Sequence, residues 1–276
     1  MTTQRLDDVR TRYRDEALQR GVNPRDVDLL LGDILGKPVA FLLAYGETFV
    51  DPAPLEELLA RRFAGEPLQY IRNRTEFYSR DFHVDERVLI PRPETELLVE
   101  AALDRAPRLG RVVDVGSGSG CIAISIERER DDLRVLGVDR SIAALAVATK
   151  NRKRLSSHAS FAASDLLTSV RGTFEVIVSN PPYVPLDEYE ELADEVRVHE
   201  PRMALTPGPR GTEIIERILD QAHGHLTRGG HLLMEIGYGQ EDAVRELAVD
   251  ARFDVEEIIP DLAGIPRVVV LSSHGQ

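Results

Sequence analysis

Leu6, Val9, Tyr13 and Ala17 recur three and four residues apart, the repeat of one face of a helix. Asn23-Pro24 then sets a capping side chain before a proline at a first helical position, and DVDLLLGDIL continues the helix. Asp51-Pro52 repeats that signal ahead of LEELLARRFA, which Gly65 ends. Residues 1–75 thus predict a domain of short helices. Residues 76–92, EFYSRDFHVDERVLIPRP and its margins, are rich in aromatic and β-branched residues and predict a hairpin or extended linker with a turn at Asp85-Glu86. ETELLVEAALDRA is again helical. From 111 onward short apolar runs alternate with amphipathic stretches. RVVDV, LRVLGVD, SFAASD, FEVIVS and GGHLLMEIG predict strands. CIAISIERER, SIAALAVATKNRKRL, TEIIERILDQAHGHL and QEDAVRELAVD predict the helices that alternate with them, and two late strands fall near VEEII and RVVVLS. Apolar strands without a polar face need cover on both sides, so residues 93–276 predict an α/β domain, a parallel sheet with helices on both faces.

Composition narrows the functional classes. The 276 residues carry 34 Lys and Arg against 47 Asp and Glu, a net charge of −13. Sequence-independent nucleic-acid binding needs a basic face to neutralise phosphates, so no stable nucleic-acid partner is expected. Cys121 is the only cysteine, which excludes an intramolecular disulfide and a cysteine-based zinc site. The first 21 residues lack the apolar run of a signal peptide, and Asp7, Asp8, Asp15 and Glu16 disfavour a transit peptide. No stretch approaches the ~18 apolar residues of a membrane span. A cytoplasmic location without a membrane partner is the expectation.

The first candidate site is Gly116-Ser117-Gly118-Ser119-Gly120, between a predicted strand and helix. Glycines let the backbone turn sharply and approach a ligand without a Cβ in the way, and the helix start supplies free N–H groups. The dinucleotide fingerprint would place glycine at 121, where Cys121 stands, and this favours S-adenosylmethionine over NAD or FAD. A tight strand-to-helix connection without a ligand is the competing reading. Asp139 ends the next strand, where doubly wound folds use an acid to accept hydrogen bonds from ribose hydroxyls; the alternative is a helix cap. Asp165 could reach the adenine amine or cap a turn.

The sharpest signal is Asn180-Pro181-Pro182-Tyr183, directly after FEVIVS and therefore in the same crevice as the glycine loop. An amide or aromatic amine nitrogen has its lone pair delocalised and is a poor nucleophile. Two acceptors that hold both N–H bonds out of plane would aim that lone pair at a donor. The Asn180 side-chain carbonyl and the Pro181 backbone carbonyl can supply them. Prolines stiffen the turn, and Tyr183 offers a flat face. Methyl transfer from a sulfonium is an in-line displacement, so positioning and electrostatics could provide most of the catalysis. A capped, proline-stiffened loop without chemistry is the bland alternative, weakened by the glycine loop and Asp139 in register.

These motifs together resemble the HemK-type peptide-chain-release-factor glutamine methyltransferases, over nearly the whole chain. Gly65-Glu66-Pro67-Leu68-Gln69-Tyr70-Ile71 is similar to that family's domain junction, and Glu76-Phe77-Tyr78 with Phe82 and Val84 to its hairpin. Ile90-Pro91-Arg92-Pro93-Glu94-Thr95-Glu96 is the most family-specific run. Glu200-Pro201 with Ala204-Leu205, and Glu235-Ile236-Gly237, follow in order. The resemblance implies a Rossmann-like methyltransferase sheet behind a helical N-terminal substrate-recognition domain. It implies S-adenosyl-L-methionine as cofactor, S-adenosyl-L-homocysteine as product, and a class I release factor as protein partner, methylated on the Gln of its Gly-Gly-Gln tip. Gly116 to Gly120 and Asp139 would hold the cofactor, with Asp165 and Leu166 at the adenine. Asn180 to Tyr183 would hold the substrate amide, and Pro91, Arg92, Glu94 and Thr95 would line its pocket. Leu166 stands where some relatives carry an aromatic residue, so stacking is not expected there.

Two related activities compete. A relative modifies a Gln on a large-subunit ribosomal protein, but carries a different sequence after the Pro-Arg pair. Adenine N6-methyltransferases share the tetrapeptide logic, yet need a basic groove that the charge does not offer. A non-catalytic binding module would not need two acceptors aimed at a nucleophile. His83, His158, His199, His223, His225, His231 and His274 form no metal pattern, with His223 and His225 two apart on a predicted helix, and no metal is expected. Cys121 reads as a small buried residue or, at a helix start, a thiol of lowered pKa. The Glu127–Asp132 cluster reads as a solvated helix end, and Asp187–Glu195 as a gating loop or exposed helix.

Overall fold

The structure is a computed structural model and describes residues 3–273; His274 lies outside the described residues. The chain divides into two compact units, one of residues 1–73 with 194–199, the other of residues 74–193 with 200–276.

The first unit is helical. Strand β1 (Gln4–Arg5) leads into α1 (Leu6–Gln19), followed by α2 (Pro24–Leu35), α3 (Val39–Ala44), β2 (Phe49–Val50), α4 (Ala53–Phe63) and α5 (Leu68–Arg72). Leu6, Val9, Tyr13 and Ala17 are all buried, in a cluster with Val27, Leu30, Leu55 and Leu59. Asn23 caps α2 by accepting from the Arg25 N–H at 3.0 Å. Asp51 accepts from the Ala53 N–H at 3.1 Å at the start of α4. The short helix α10 (Asp194–His199) joins this unit through Arg62, whose guanidinium bridges Asp26 at 2.8 Å and Glu195 at 3.1 Å.

In the second unit β3 (Thr75–Phe77) and β4 (Arg80–Phe82) pair antiparallel across Tyr78 and Ser79. Both turn residues have positive φ, 49° and 56°, as a two-residue hairpin turn requires. The hairpin therefore turns there, at residues without turn chemistry, and the anticipated turn is a second one, closed by the Val88 N–H to the Asp85 carbonyl at 3.1 Å. After α6 (Glu96–Arg105) come β5 (Arg111–Val115), α7 (Cys121–Glu129), β6 (Arg134–Asp139), α8 (Ile142–Arg154), β7 (Ser160–Ala163) and β8 (Phe174–Ser179). The short α9 (Leu186–Tyr189), then α11 (Glu213–Ala222), β9 (Leu226–Glu235), α12 (Glu241–Asp250), β10 (Phe253–Pro260) and β11 (Pro266–Ser273) complete it.

The sheet has seven strands in the order β10-β11-β9-β8-β5-β6-β7. It is mixed, not wholly parallel, because β11 runs antiparallel to both neighbours. Only residues 261–265 join β10 to β11, too few for the crossover that a parallel pair needs. Alternate residues of each strand feed two cores. Val112, Val176, Leu233 and Val268 pack with α6 and α7; Val113, Ile177, Leu232 and Val269 pack with Ile215 and Ile218 of α11 and Val244 of α12. Strand order reverses at β5, which lies between β8 and β6, and a crevice opens beyond the carboxyl ends of strands at such a point.

Candidate active site

Strand register sets the site. Val115 of β5 lies opposite Ser179 of β8 and Val138 of β6, so all three strands end side by side. Ser179 Oγ donates to the Val115 carbonyl at 2.7 Å and clamps two of those ends. Gly116, Asn180 and Asp139 are the next residues out.

Gly116, Gly118 and Gly120 have φ of 79°, 52° and 79°, a region that side chains strain to enter. The Gly116 and Ser117 N–H groups donate to the Val138 carbonyl at 2.8 and 3.0 Å. The Gly118 N–H donates to Asp139 Oδ2 at 2.9 Å. A Cβ added at Gly116 would meet nothing within 4 Å, so the backbone there borders open space. Beneath the loop lies Asp114, wholly buried, with Oδ2 accepting from the Ala123 N–H at 3.3 Å and Oδ1 without a partner. Burial pushes its carboxyl up to about 7. Burial also pushes the Cys121 thiol up to about 12, which removes the lowered-pKa reading of that cysteine.

Asp139 is not the cap of α8. Ser141 is, with Oγ accepting from the Ala144 N–H at 3.1 Å. Asp139 instead braces both sides of the crevice, Oδ2 on Gly118 and Oδ1 on the Ser141 N–H at 2.8 Å. Asp165 carries an ion pair to Arg217 at 2.6 Å, and its carbonyl accepts the Thr168 hydroxyl. Leu166 adopts φ 52°.

The tetrapeptide is anchored from behind. Asn180 Nδ2 donates to Thr95 Oγ1 at 3.1 Å, and Thr95 Oγ1 donates to Glu235 Oε2 at 2.7 Å. The Tyr183 hydroxyl faces Glu235 Oε1 at 3.5 Å. Gln240 Nε2 donates to the Tyr183 carbonyl at 2.9 Å while its Oε1 accepts from the Gly237 N–H at 2.8 Å. Glu235 is 2% exposed, and burial pushes its carboxyl up to about 7 against the pull of Thr95 and Arg267. Burial, then the Glu235 carboxylate, push the Tyr183 phenol well above its usual range. Glu200, also buried, accepts from the Ile90 N–H at 3.0 Å and from the Arg92 guanidinium, which fixes the 90–95 segment.

Pro91, Thr95, Gly116, Ser117, Gly118, Ser119, Asp139, Asp165, Leu166, Asn180 and Pro182 border one cavity of about 210 Å³. Gly120, Arg92, Glu94, Pro181 and Tyr183 do not border it. Gly120 is the N-cap residue before α7, Arg92 is turned to Glu200, Pro181 is buried and Tyr183 is turned to Glu235. Arg87, Arg140, Ile122, Met203 and Ile214 also border it and escaped the sequence reading, having no motif chemistry of their own. Two other readings change. Helix α11 ends at Ala222, so His223 and His225 lie beyond it. Glu127 is 3% exposed, not solvated. Among the described residues no group of three or more His, Cys, Asp or Glu is placed to hold a metal ion, and no helix is long and apolar enough to cross a membrane.

Residues 93–210 match the family model "Methyltransferase small domain" and residues 15–72 the model "PrmC N-terminal domain". A release factor glutamine methyltransferase of Koribacter versatilis is 46% identical over 256 residues, 90% of this chain and 91% of that one. One of Nitratidesulfovibrio vulgaris is 43% identical over 221 residues, 77% of this chain and 75% of that one. A methyltransferase structure from Pyrococcus furiosus, 17% identical, superposes with a TM-score of 0.55 over 78% of this chain and 98% of that one, a likeness of fold. With glycine loop, strand-end acid and Asn-Pro-Pro-Tyr gathered at one switch point and relatives this near over most of its length, the chain belongs to the release factor glutamine methyltransferase family.

Proposed function

We propose that this protein transfers a methyl group from S-adenosyl-L-methionine to the side-chain amide nitrogen (N5) of the glutamine in the Gly-Gly-Gln tip of a class I peptide chain release factor, in the cytoplasm. The observation that carries the reading is the orientation of Asn180. Its Nδ2 is held by Thr95, so Oδ1 is left as an acceptor at the cavity that the glycine loop and Asp139 also border.

The residues fit the cofactor. Open space at Gly116 admits close approach of a ligand to the backbone, and the Asp139 carboxylate at the cavity edge suits ribose hydroxyls. Leu166 offers an apolar wall for the adenine, and Asp165 a carboxylate near its edge, shared with Arg217. When bound, the cofactor supplies an electrophilic methyl on a sulfonium. Asn180 Oδ1 accepts one N–H bond of the substrate amide at the cavity, and the backbone carbonyl of Pro181, a residue that does not border the cavity here, would have to turn toward it to accept the other and hold the lone pair out of conjugation. Pro182 walls the cavity, and Tyr183, turned to Glu235, anchors the turn from behind. The glycine loop and Asp139 would hold the cofactor, which would give up its methyl and leave as the neutral thioether, while Asn180 would hold the amide as its nitrogen sheds one proton to water. No covalent enzyme intermediate and no charged base at Asn180 are required, so positioning carries the rate. The helical unit of residues 1–73 with 194–199 would grip the protein substrate.

The test is a methylation assay with S-adenosyl-L-methionine and a purified class I release factor, read by peptide mass spectrometry. One added methyl on the Gly-Gly-Gln glutamine is expected, and none on a Gln→Ala control. Methyl on ribosomal protein or DNA offered in parallel, and none on the factor, would overturn the substrate assignment.

A further inference from the structure

The methyl-transfer reading asks one thing of Asn180 that its residue type does not guarantee. A carboxamide is nearly symmetric in shape, and either end can face a ligand. With Oδ1 outward it accepts an N–H bond from the substrate. With Nδ2 outward it presents a donor to a donor. The neighbours of the amide decide which end faces out.

The neighbour within reach is the Thr95 hydroxyl, 3.1 Å from Asn180 Nδ2. A hydroxyl has one proton to give and lone pairs to receive, so alone it would tolerate either amide orientation. Here the proton is committed. Thr95 Oγ1 lies 2.7 Å from Glu235 Oε2, and a carboxylate only accepts. With its proton spent on Glu235, Thr95 can only accept from Asn180, which must therefore turn Nδ2 inward. Thr95 and Glu235 are both buried, 2% exposed each, so water does not compete for these groups. The three groups come from separate elements: Thr95 from the turn before α6, Asn180 from the end of β8 and Glu235 from the end of β9.

We propose that Thr95 and Glu235 are positioning residues that fix the rotamer of the Asn180 carboxamide, Glu235 by claiming the Thr95 proton and Thr95 by then accepting only from Nδ2. The inference rests on the methyl-transfer reading. Neither residue needs to touch the reacting atoms in this role.

The test compares Thr95→Val, which keeps the shape and deletes the hydroxyl, with Thr95→Ser, which returns it. Thr95→Val is expected to lower kcat 10- to 100-fold with cofactor Kd within twofold and the melting temperature little changed. Thr95→Ser is expected to restore most of kcat. A Thr95→Val kcat within twofold of the unsubstituted enzyme overturns the proposal. Should Thr95→Val fail to fold, Glu235→Gln takes its place, because its amide can donate to Thr95 and free the hydroxyl proton; an unchanged kcat there also overturns it. A second readout does not need turnover. The Asn180 Nδ2 protons, assigned in a ¹⁵N–¹H spectrum by their loss in Asn180→Ser, should be protected from solvent exchange and lose that protection in Thr95→Val. If the enzyme methylates no release factor, the functional reading fails and this spectrum still decides: unchanged protection in Thr95→Val overturns the relay.

Discussion

The carboxamide of Asn151 grips the backbone of His83 on both sides, Oδ1 accepting its N–H at 2.7 Å and Nδ2 donating to its carbonyl at 2.9 Å. The same Nδ2 donates to the Ser119 carbonyl at 2.9 Å. One fully buried side chain of α8 thus ties the segment after the hairpin to the glycine loop. Asn151→Leu removes three buried hydrogen bonds and should cost about 3 kcal/mol of stability, read by urea unfolding. Cofactor affinity should fall with it, since Ser119 is released. A loss under about 1 kcal/mol would mean that the segment re-pairs elsewhere.

Gly137 lies mid-strand in β6, where the loop bears directly on it. An added Cβ would stand 2.4 Å from Ser117 Oγ and 2.5 Å from the Phe161 ring. Gly137→Ala should displace Ser117, cost on the order of 1–3 kcal/mol and raise cofactor Kd at least tenfold. Calorimetric titration with the cofactor decides; an unchanged Kd would show that the ring yields and the loop does not.

The strands and long helices were legible because burial on both faces forces apolar runs, as in RVVDV and FEVIVS, and because caps such as Asn23 announce themselves locally. The site motifs were legible for a related reason: Gly116 to Gly120 and Asn180 to Tyr183 each sit at a strand end, where topology gathers them. What stayed hidden depends on tertiary partners. Asn151 has no local signal, and its role exists only once His83 and Ser119 arrive. Glu235 enters the sequence reading only as part of a family-like run, and its task appears once Thr95, 140 residues away, and Tyr183 meet it. The hairpin turned at Tyr78-Ser79 because strand pairing imposed positive φ on residues without turn propensity. The antiparallel β11 followed from a connection length, not from strand composition.

Asp139 braces the glycine loop as well as bordering the cavity, so its substitutions separate two roles. Asp139→Ala should raise cofactor Kd at least tenfold and cost about 1–2 kcal/mol, because the Gly118 and Ser141 N–H groups lose their acceptor. Asp139→Asn keeps one acceptor and should recover part of the stability with less of the affinity. Unchanged affinity in Asp139→Ala would leave Asp139 a loop brace only.

Asn180→Ala removes the side-chain acceptor but touches the glycine loop at no hydrogen bond. Turnover on the release factor should fall more than 100-fold while cofactor Kd stays within threefold, measured on the same preparation. Loss of both together would make Asn180 a cofactor residue first.

The buried acids set a pH dependence whose sign can be worked out. Glu235 is pushed up to about 7 from 4.5, chiefly by burial. It is faced by Thr95 and Glu94 from the turn before α6, Tyr183 from the loop after β8, Arg267 from β11 and Cys121 from α7. Between pH 4.5 and 7 the folded state holds this proton and the unfolded state has released it, so stability falls as pH rises through that window and levels above it. Asp114, pushed up to about 7 from 3.8, acts with the same sign. Asp85 is held down to about 2 by Arg87, so its own window lies below that of Glu235. Urea unfolding at pH 5 and pH 8 should therefore show lower stability at pH 8. In Glu235→Gln that difference should shrink by on the order of 3 kcal/mol. Activity should run the other way. Only the ionised carboxylate reserves the Thr95 proton, so kcat should climb as pH rises through about 7. Glu235→Gln should lose that limb. A variant that kept both the stability slope and the kcat limb would assign the proton to Asp114 and leave Glu235 ionised throughout.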